Sequence, residues 1–314
     1  MTKVLILTTE KAGHYKSYAE ICVKLLSGDI CDVTVKEVAR YSEVLSVEKL
    51  VLIDGDSTHL ALSPLIFLRA MFNKPTTLLS VRTEDFIGKR IKSKIKRCLL
   101  RLLVCCKRVN FLSIHYPDMC AYEGDFITKC FYDPQLWDLP LLNSGANIPS
   151  ELDNESRQGV TLLVLGALNE KRCKTDLLNK VASFPSIHFV FAGRLQPEDE
   201  AVLIGLSNVT VINRYVSDEE IIGLYNSCSY VYAFYSNDVC RPSGVFGRAV
   251  QLGKKVVVRK GGYIDAYFGD YAGVVSVGSL EELDLLLVDR KECSKGGSIR
   301  DYDHSEILKS YLLL

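Results

Sequence analysis

The sequence lacks a long apolar run, since no stretch approaches the roughly 20 apolar residues that a membrane-spanning helix needs. Its eleven cysteines show no C-x-x-C spacing, and most lie in apolar runs, where a thiol acts as a small hydrophobe. We therefore expect neither a metal site nor a disulfide framework. The first residues read as a strand and are too short for a signal peptide, which favours a cytoplasmic protein.

The sequence also lacks a net charge, because 38 Lys and Arg balance 38 Asp and Glu. The first 150 residues carry a net charge of +4 and the rest carry −4. This imbalance is too small for a nucleic-acid-binding protein, so we expect no nucleic-acid partner. It does indicate that the first half faces something anionic.

Short apolar runs rich in β-branched residues alternate with longer helical patterns, which is typical of parallel sheets with crossover helices. The stretch 133–158, rich in Pro, Asn and Ser, interrupts the alternation, and its residues 141–158 are predicted to be a linker. The sequence therefore predicts an α/β protein with two Rossmann-like domains, at residues 1–140 and 159–298. Ligands of such sheets lie outside the carboxyl ends of the strands, which here means a cleft between two facing domains.

The segment Arg241–Gly253 is predicted to run from a tight turn into a short helix that ends at a glycine. Such a turn leaves free N–H groups at the positive end of the helix dipole, where a phosphate can bind. Ser243, Gly244 and Val245 are candidates for main-chain phosphate contacts. Arg241 is a candidate for a charge-assisted contact.

Three more cations follow predicted strands and therefore lie at the same edge of the predicted sheet. Lys171 and Arg172 come just after the first strand of the second domain, and Arg194 ends the next strand. We expect them to contact the phosphates of a donor, although Lys171 and Arg172 could equally be solvated loop charges.

The second half resembles the C-terminal domain of GT-B glycosyltransferases, which transfer sugars from nucleotide donors. The likeness covers about residues 160–265 and rests on the order of several motifs: Leu163–Arg172, Phe189–Arg194, Asn213–Tyr225, Tyr230–Ser236 and Val245–Gly262. The resemblance implies a GT-B fold and a nucleotide-diphosphate sugar as donor substrate, without a metal or other cofactor. It also implies that residues 299–314 form a C-terminal helix crossing back to the first domain.

One part of the family pattern is missing. Many retaining members have two glutamates in this turn, and alignment on Gly253 places Cys240 and Arg248 at those positions. A retaining mechanism is therefore not carried over, and a base-assisted inverting mechanism is favoured. Asp238 could substitute for the first acid, and Arg248 is expected at the helix surface, in an ion pair or at the donor.

Two residues of the first half are candidates for the catalytic base. His14 lies in a loop after the first strand, and Asp56 follows the strand Leu50–Ile53, so both lie at carboxyl ends of strands. His14 could instead cap or pack locally, and Asp56 could be a helix N-cap. Glu84 ranks behind them.

The segment Lys89–Arg108 carries nine cations and no acid, with apolar residues at helical spacing. A helix of this kind suits an anionic membrane surface, or it packs on its own sheet with a solvated basic face. Together these features predict a glycosyltransferase that uses a glycan or lipid-linked glycan acceptor at the inner face of the cytoplasmic membrane. The resemblance suggests bacterial surface polysaccharide synthesis; a non-catalytic sugar-nucleotide-binding subunit and a sugar-nucleotide epimerase are the alternatives.

Overall fold

The chain divides into two compact units, the first formed by Met1–Pro134 with Asp303–Leu314 and the second by Gln135–Tyr302. The structure is a computed structural model. It describes residues 2–8, 14–27, 31–55, 58–80, 91–114, 127–138, 145–152, 159–239, 243–284 and 303–313. Within these ranges, no helix is both long and apolar enough to cross a membrane.

The first unit contains a parallel sheet of six strands in the order β2-β1-β3-β4-β5-β6. Its strands are β1 (Thr2–Leu7), β2 (Cys31–Lys36), β3 (Lys49–Leu52), β4 (Thr76–Ser80), β5 (Val109–Ser113) and β6 (Lys129–Cys130). Its described α-helices before residue 134 are α1 (His14–Leu26), α2 (Tyr41–Ser46), α3 (Ser63–Met71) and α4 (Ile91–Val104).

The core of the first unit lies on the central strands, because these are covered by helices on both faces. Every residue of β3 and β4 is buried, including the polar Lys49 and Ser80 at their ends. Helix α4 contributes its inner face, where Leu100 and Leu103 pack in the same cluster as Leu50, Leu78 and Phe111.

The second unit contains another six-stranded parallel sheet, in the order β12-β11-β10-β7-β8-β9. Its strands are β7 (Val160–Leu165), β8 (Ile187–Ala192), β9 (Val209–Ile212), β10 (Tyr230–Tyr232), β11 (Lys255–Arg259) and β12 (Val274–Val277). Its described α-helices are α5 (Lys174–Lys180), α6 (Pro197–Leu203), α7 (Asp218–Ser227), α8 (Gly244–Gln251) and α9 (Tyr263–Phe268). Leu162, Phe189, Phe191, Tyr232 and Val257 lie in its core.

The C-terminal helix α10 (Ser305–Leu313) groups with the first unit, where it packs against α1. The buried Lys49 donates from Nζ to the main-chain oxygen of Leu312, at 2.9 Å, and so satisfies a carbonyl in the last turn of the helix. Burial holds the pKa of Lys49 below its ordinary value.

The boundary between the units falls after Pro134. Both described segments next to the boundary are fixed to helices of the second unit. Asn147 donates its N–H to the oxygen of Glu219 at 3.1 Å, and a Cβ on Gly223 would clash with the Asn147 carbonyl. A Cβ on Gly247 would lie 2.5 Å from the oxygen of Gln135. Two glycines therefore allow these segments to pack closely on α7 and α8.

Candidate functional site

The strand order of the second sheet creates a switch point between β7 and β10. From β7 the chain proceeds to β8 and β9 on one side and then returns to β10, β11 and β12 on the other. The helices that follow β7 and β10 therefore cover opposite faces, which leaves a crevice at the carboxyl ends of these two strands. Ligands of doubly wound sheets bind in such a crevice.

Arg172 holds the two strands together at this switch point. Its Nη1 donates to the oxygens of Leu165 (2.6 Å) and Ala167 (3.3 Å), and its Nη2 donates to the oxygen of Tyr232 (2.8 Å). The residue is only 4% exposed, and its guanidinium also lies over the rings of Tyr232 and Tyr235. Both terminal nitrogens of Arg172 therefore donate to main-chain carbonyls, so its guanidinium links the carboxyl ends of β7 and β10.

Lys171 and Arg194 are placed differently, because both are exposed at the same edge of the sheet. Lys171 lies in a single 3-10 turn, Glu170–Arg172, and its main-chain oxygen accepts the N–H of Ser236 at 2.9 Å. That bond ties the loop after β7 to the loop after β10. Arg194 follows Gly193, whose positive φ and close approach to Gly166 bring the loops after β8 and β7 together.

Helix α8 begins at this edge with Ser243 as its N-cap. The Ser243 Oγ accepts the N–H of Phe246 at 3.3 Å and is hydrogen-bonded to the Tyr235 hydroxyl at 2.8 Å. The side chain of Ser243 is therefore occupied by the fold. The amides of Gly244 and Val245 are the first two of the helix, and such amides have no acceptor within it.

Arg248 is buried, so the expectation that it lies at the helix surface is corrected. Its Nη1 donates to the main-chain oxygen of Asp138 and, at 2.8 Å, to Oε1 of Gln251. Gln251 donates to the same Asp138 oxygen at 2.7 Å. Arg248 and Gln251 thus both bind the main chain at Asp138 to α8, which stabilises the fold.

The sequence patterns missed Arg259, the last residue of β11. Its Nε donates to the oxygen of Tyr235 at 3.0 Å, and its guanidinium lies 4.3 Å from the centre of the Phe234 ring. Lys171 and Arg194 were candidates because each follows a predicted strand. The same criterion, applied after Val256–Val258, identifies Arg259. Arg259 adds positive charge near the carboxyl ends of β10 and β11.

Acidic residues also follow the strands of this sheet. Asp238, in the turn after β10, is exposed and accepts a hydrogen bond from the Ser236 hydroxyl. The Glu170 carboxylate accepts from the Thr175 hydroxyl at 2.6 Å. Within the described ranges, no group of three or more His, Cys, Asp or Glu is placed so that it could hold a metal ion.

The remaining sequence candidates have no described side chain. His14 is the first residue of α1, and only its main chain is described. Asp56, Glu84, Cys240 and Arg241 lie outside the described residues. The neighbouring Asp54 is buried after β3, and Gly55 donates its N–H to the oxygen of Leu79 at 3.0 Å.

No protein-family model and no curated protein matches the chain. Solved structures do match it over nearly its whole length. Sucrose-phosphate synthase from Thermosynechococcus elongatus is 10% identical, with 99% of this chain and 95% of that chain covered and a TM-score of 0.62. HepE of Anabaena, solved with UDP and glucose, is 14% identical, with coverage of 99% and 95% and a TM-score of 0.59.

A third similar structure is the UDP-GlcNAc 2-epimerase of Neisseria meningitidis, solved with UDP-GlcNAc. It is 12% identical, both chains are covered completely, and the TM-score is 0.56. At these identities the likeness shows the fold alone. The chain has the predicted GT-B-like α/β fold, which glycosyltransferases and UDP-sugar epimerases share.

Proposed function

We propose that the protein is a glycosyltransferase that transfers a sugar from a nucleotide-diphosphate donor to a glycan or lipid-linked glycan. The observation that carries this proposal is that exposed cations and the first amides of a helix lie at the same edge of the second sheet. Lys171 and Arg194 supply the cations, and Gly244 and Val245 supply the amides. The solved GT-B-like neighbours with bound UDP support a nucleotide at such a fold.

The donor diphosphate would be held by this set of groups. Helix amides and the positive end of the α8 dipole favour an anion, and exposed cations add charge-assisted hydrogen bonds. Arg241, next to the start of α8 in the sequence, is proposed to add another. Arg172 acts indirectly, because it fixes the loops that carry Lys171 and Tyr235.

The same groups would stabilise the leaving diphosphate in the transition state. An acceptor hydroxyl attacks the anomeric carbon, the bond from that carbon to the diphosphate oxygen breaks, and a base takes the hydroxyl proton. We assign the charge stabilisation to the cations and amides, without a metal ion. An inverting course is proposed because Cys240 and Arg248 replace the glutamate pair, with Asp56 or His14 as the base.

The acceptor is proposed to be an intermediate of bacterial surface polysaccharide, such as lipopolysaccharide. A lipid-linked intermediate lies in an anionic membrane, so the enzyme would work as a peripheral protein at the cytoplasmic face.

A sugar-nucleotide epimerase is the second candidate function. It is favoured by the UDP-GlcNAc 2-epimerases among the similar structures, since two of them cover 98% and 100% of this chain at TM-scores of 0.58 and 0.56. The missing glutamates would also suit a subunit that binds a sugar nucleotide without turnover. These alternatives share the donor site and differ in what happens to the sugar.

A thermal-shift panel of UDP-, GDP-, dTDP- and CMP-linked sugars tests the shared donor site first. A donor at a hundred times its Kd should stabilise the protein by about 2.7 kcal/mol. The donor that stabilises is then incubated with and without glycan acceptors. Nucleotide release only with an acceptor supports transfer, conversion of the free donor sugar indicates an epimerase, and binding without either indicates a non-catalytic subunit.

The proposed base is tested by Asp56→Asn and His14→Ala. Asp238→Asn tests whether Asp238 substitutes for the first glutamate of the family pattern. Loss of the base should lower turnover about 100-fold or more with donor binding retained. If neither base variant loses turnover, both assignments are wrong. Unchanged turnover in Asp238→Asn would show that Asp238 does not substitute for the missing glutamate.

A further inference from the structure

Helix α4 has two apolar faces, only one of which packs on the first unit. Leu100 and Leu103 are completely buried in the core. On the opposite side, Ile91, Ile95 and Leu102 are 75%, 61% and 54% exposed. At 100° per residue these three side chains fall in one narrow strip along the helix. The buried face packs α4 on the core of the first unit. The exposed strip is not part of that packing.

The exposed strip lies among cations. The helix sequence from Ile91 to Val104 contains Lys92, Lys94, Lys96, Arg97 and Arg101 and no acidic residue. Lys92 and Lys94 are exposed, and the helical spacing places them on opposite sides of the strip. Long cationic side chains beside exposed aliphatic groups suit an interface whose polar layer is anionic and whose interior is apolar.

We propose that α4 is an interfacial helix, which inserts the strip Ile91–Ile95–Leu102 into an anionic lipid surface while its lysines contact the headgroups. Binding to lipid requires no turnover; only the purpose, access to a lipid-linked acceptor, rests on the proposed function. Charge complementarity selects this partner over a second copy of the chain. A twofold contact on the strip would bring the exposed Lys92 and Lys94 of one copy close to those of the other, and a strip of three side chains is far smaller than the roughly 800 Å² per partner of a stable interface.

The test is co-sedimentation of the full chain with neutral phosphatidylcholine vesicles and with vesicles that also contain phosphatidylglycerol. The wild type should sediment with the anionic vesicles at low salt and lose most of this binding at high salt. The triple variant Ile91→Ser, Ile95→Ser, Leu102→Ser should weaken binding about tenfold or more. Lys92→Gln with Lys94→Gln should weaken it on the order of 10- to 30-fold.

The matched control is Val202→Ser with Ile204→Ser, which removes exposed aliphatic surface from the second unit and should leave vesicle binding unchanged. The proposal is overturned if the wild type ignores anionic vesicles at low salt, or if the serine triple variant binds like the wild type. It is also overturned if light scattering shows that the triple variant turns a dimer into a monomer. The donor-induced thermal shift is measured without vesicles, so loss of lipid binding and loss of donor binding are separate results.

Discussion

The carboxyl edge of the second sheet and helix α4 both concentrate positive charge, but they use it in different ways. At the sheet edge, Arg172 and Arg259 donate to main-chain oxygens at the ends of buried strands. On α4, Lys92 and Lys94 are exposed beside aliphatic side chains. A planar guanidinium suits the fixed geometry of several carbonyls, whereas an exposed lysine keeps its charge available for a partner. The buried Arg172 and the half-buried Arg259 therefore hold neighbouring strand ends together, whereas the exposed cations keep their charge available for a ligand.

The substitution Arg172→Ala tests this difference most directly, and we expect it to cause the largest loss of stability. The change leaves the oxygens of Leu165 and Tyr232 without their donor inside the sheet, so the free energy of unfolding should fall by about 3 kcal/mol or more. Urea unfolding measures this loss. Arg172→Lys is the matched variant, and it should recover only part of the stability because one ammonium cannot reach both strands. A fully stable Arg172→Ala variant that only loses donor binding would show a direct donor contact instead.

The exposed pair at the same edge should behave in the opposite way. Lys171→Ala with Arg194→Ala should leave the urea midpoint unchanged, because neither side chain is buried. The Kd for the donor found by thermal shift should rise by roughly 30-fold, or about 2 kcal/mol, through lost charge-assisted hydrogen bonds. A loss of stability without a change in Kd would mean that Lys171 and Arg194 stabilise the fold, as Arg172 does, and do not bind the donor.

The N-cap of α8 lies between these extremes. Ser243→Ala removes the bond to the Phe246 amide and the contact with the Tyr235 hydroxyl, which should cost about 1 kcal/mol of stability. Ser243→Thr keeps a capping oxygen and should recover most of this loss. Thermal unfolding of the two variants checks the effect, and equal stability of Ala and Thr at this position would contradict the capping role.

An exposed arginine with carboxylate partners gives the smallest expected effect. Arg214 contacts Glu151 at 2.7 Å and Glu220 at 2.7 Å, and its hydrogen bonds lower the pKa of Glu151 from 4.5 to about 2. A lowered pKa stabilises the fold above 4.5, and this stabilisation is lost as the pH falls from 4.5 towards 2. Wild type and Glu151→Gln should therefore differ in urea midpoint at neutral pH and converge in acid.

The matched control for this pH dependence is Glu306→Gln, which changes an exposed acid on α10. It should show no comparable convergence. A Glu151→Gln difference that stays constant across the acid range would mean that the ion pair does not stabilise the second unit.

The two parallel sheets could be predicted from the sequence because strands buried on both faces read as short apolar runs. The strand predicted at Leu50–Ile53 is β3, Lys49–Leu52, displaced by one residue. The helix α9 and the strand β12 after the Gly261–Gly262 turn were not predicted, since α9 has only 6 residues and the four residues of β12 include the polar Ser276.

The site could be predicted only in part, because a sequence gives the charge of a residue but not the acceptors around it. Arg172 and Lys171 are neighbours at the same strand end, yet only the first meets the carbonyls of β7 and β10. The burial of Arg248 depends on Asp138, which is 110 positions away and joins it only through folding. The roles of Arg241, Asp56 and the His14 side chain stay predictions.

The central claim is that the carboxyl edge of the second sheet binds a nucleotide diphosphate through Lys171, Arg194 and the start of α8. Calorimetric titration of the stabilising donor into three proteins tests it most directly: the wild type, the Lys171→Ala/Arg194→Ala variant, and Lys255→Ala. Lys255 begins β11 and so lies at the opposite edge of the same sheet. The claim predicts weakened binding in the double variant alone; equal affinity in all three proteins, with the fold intact, would contradict it.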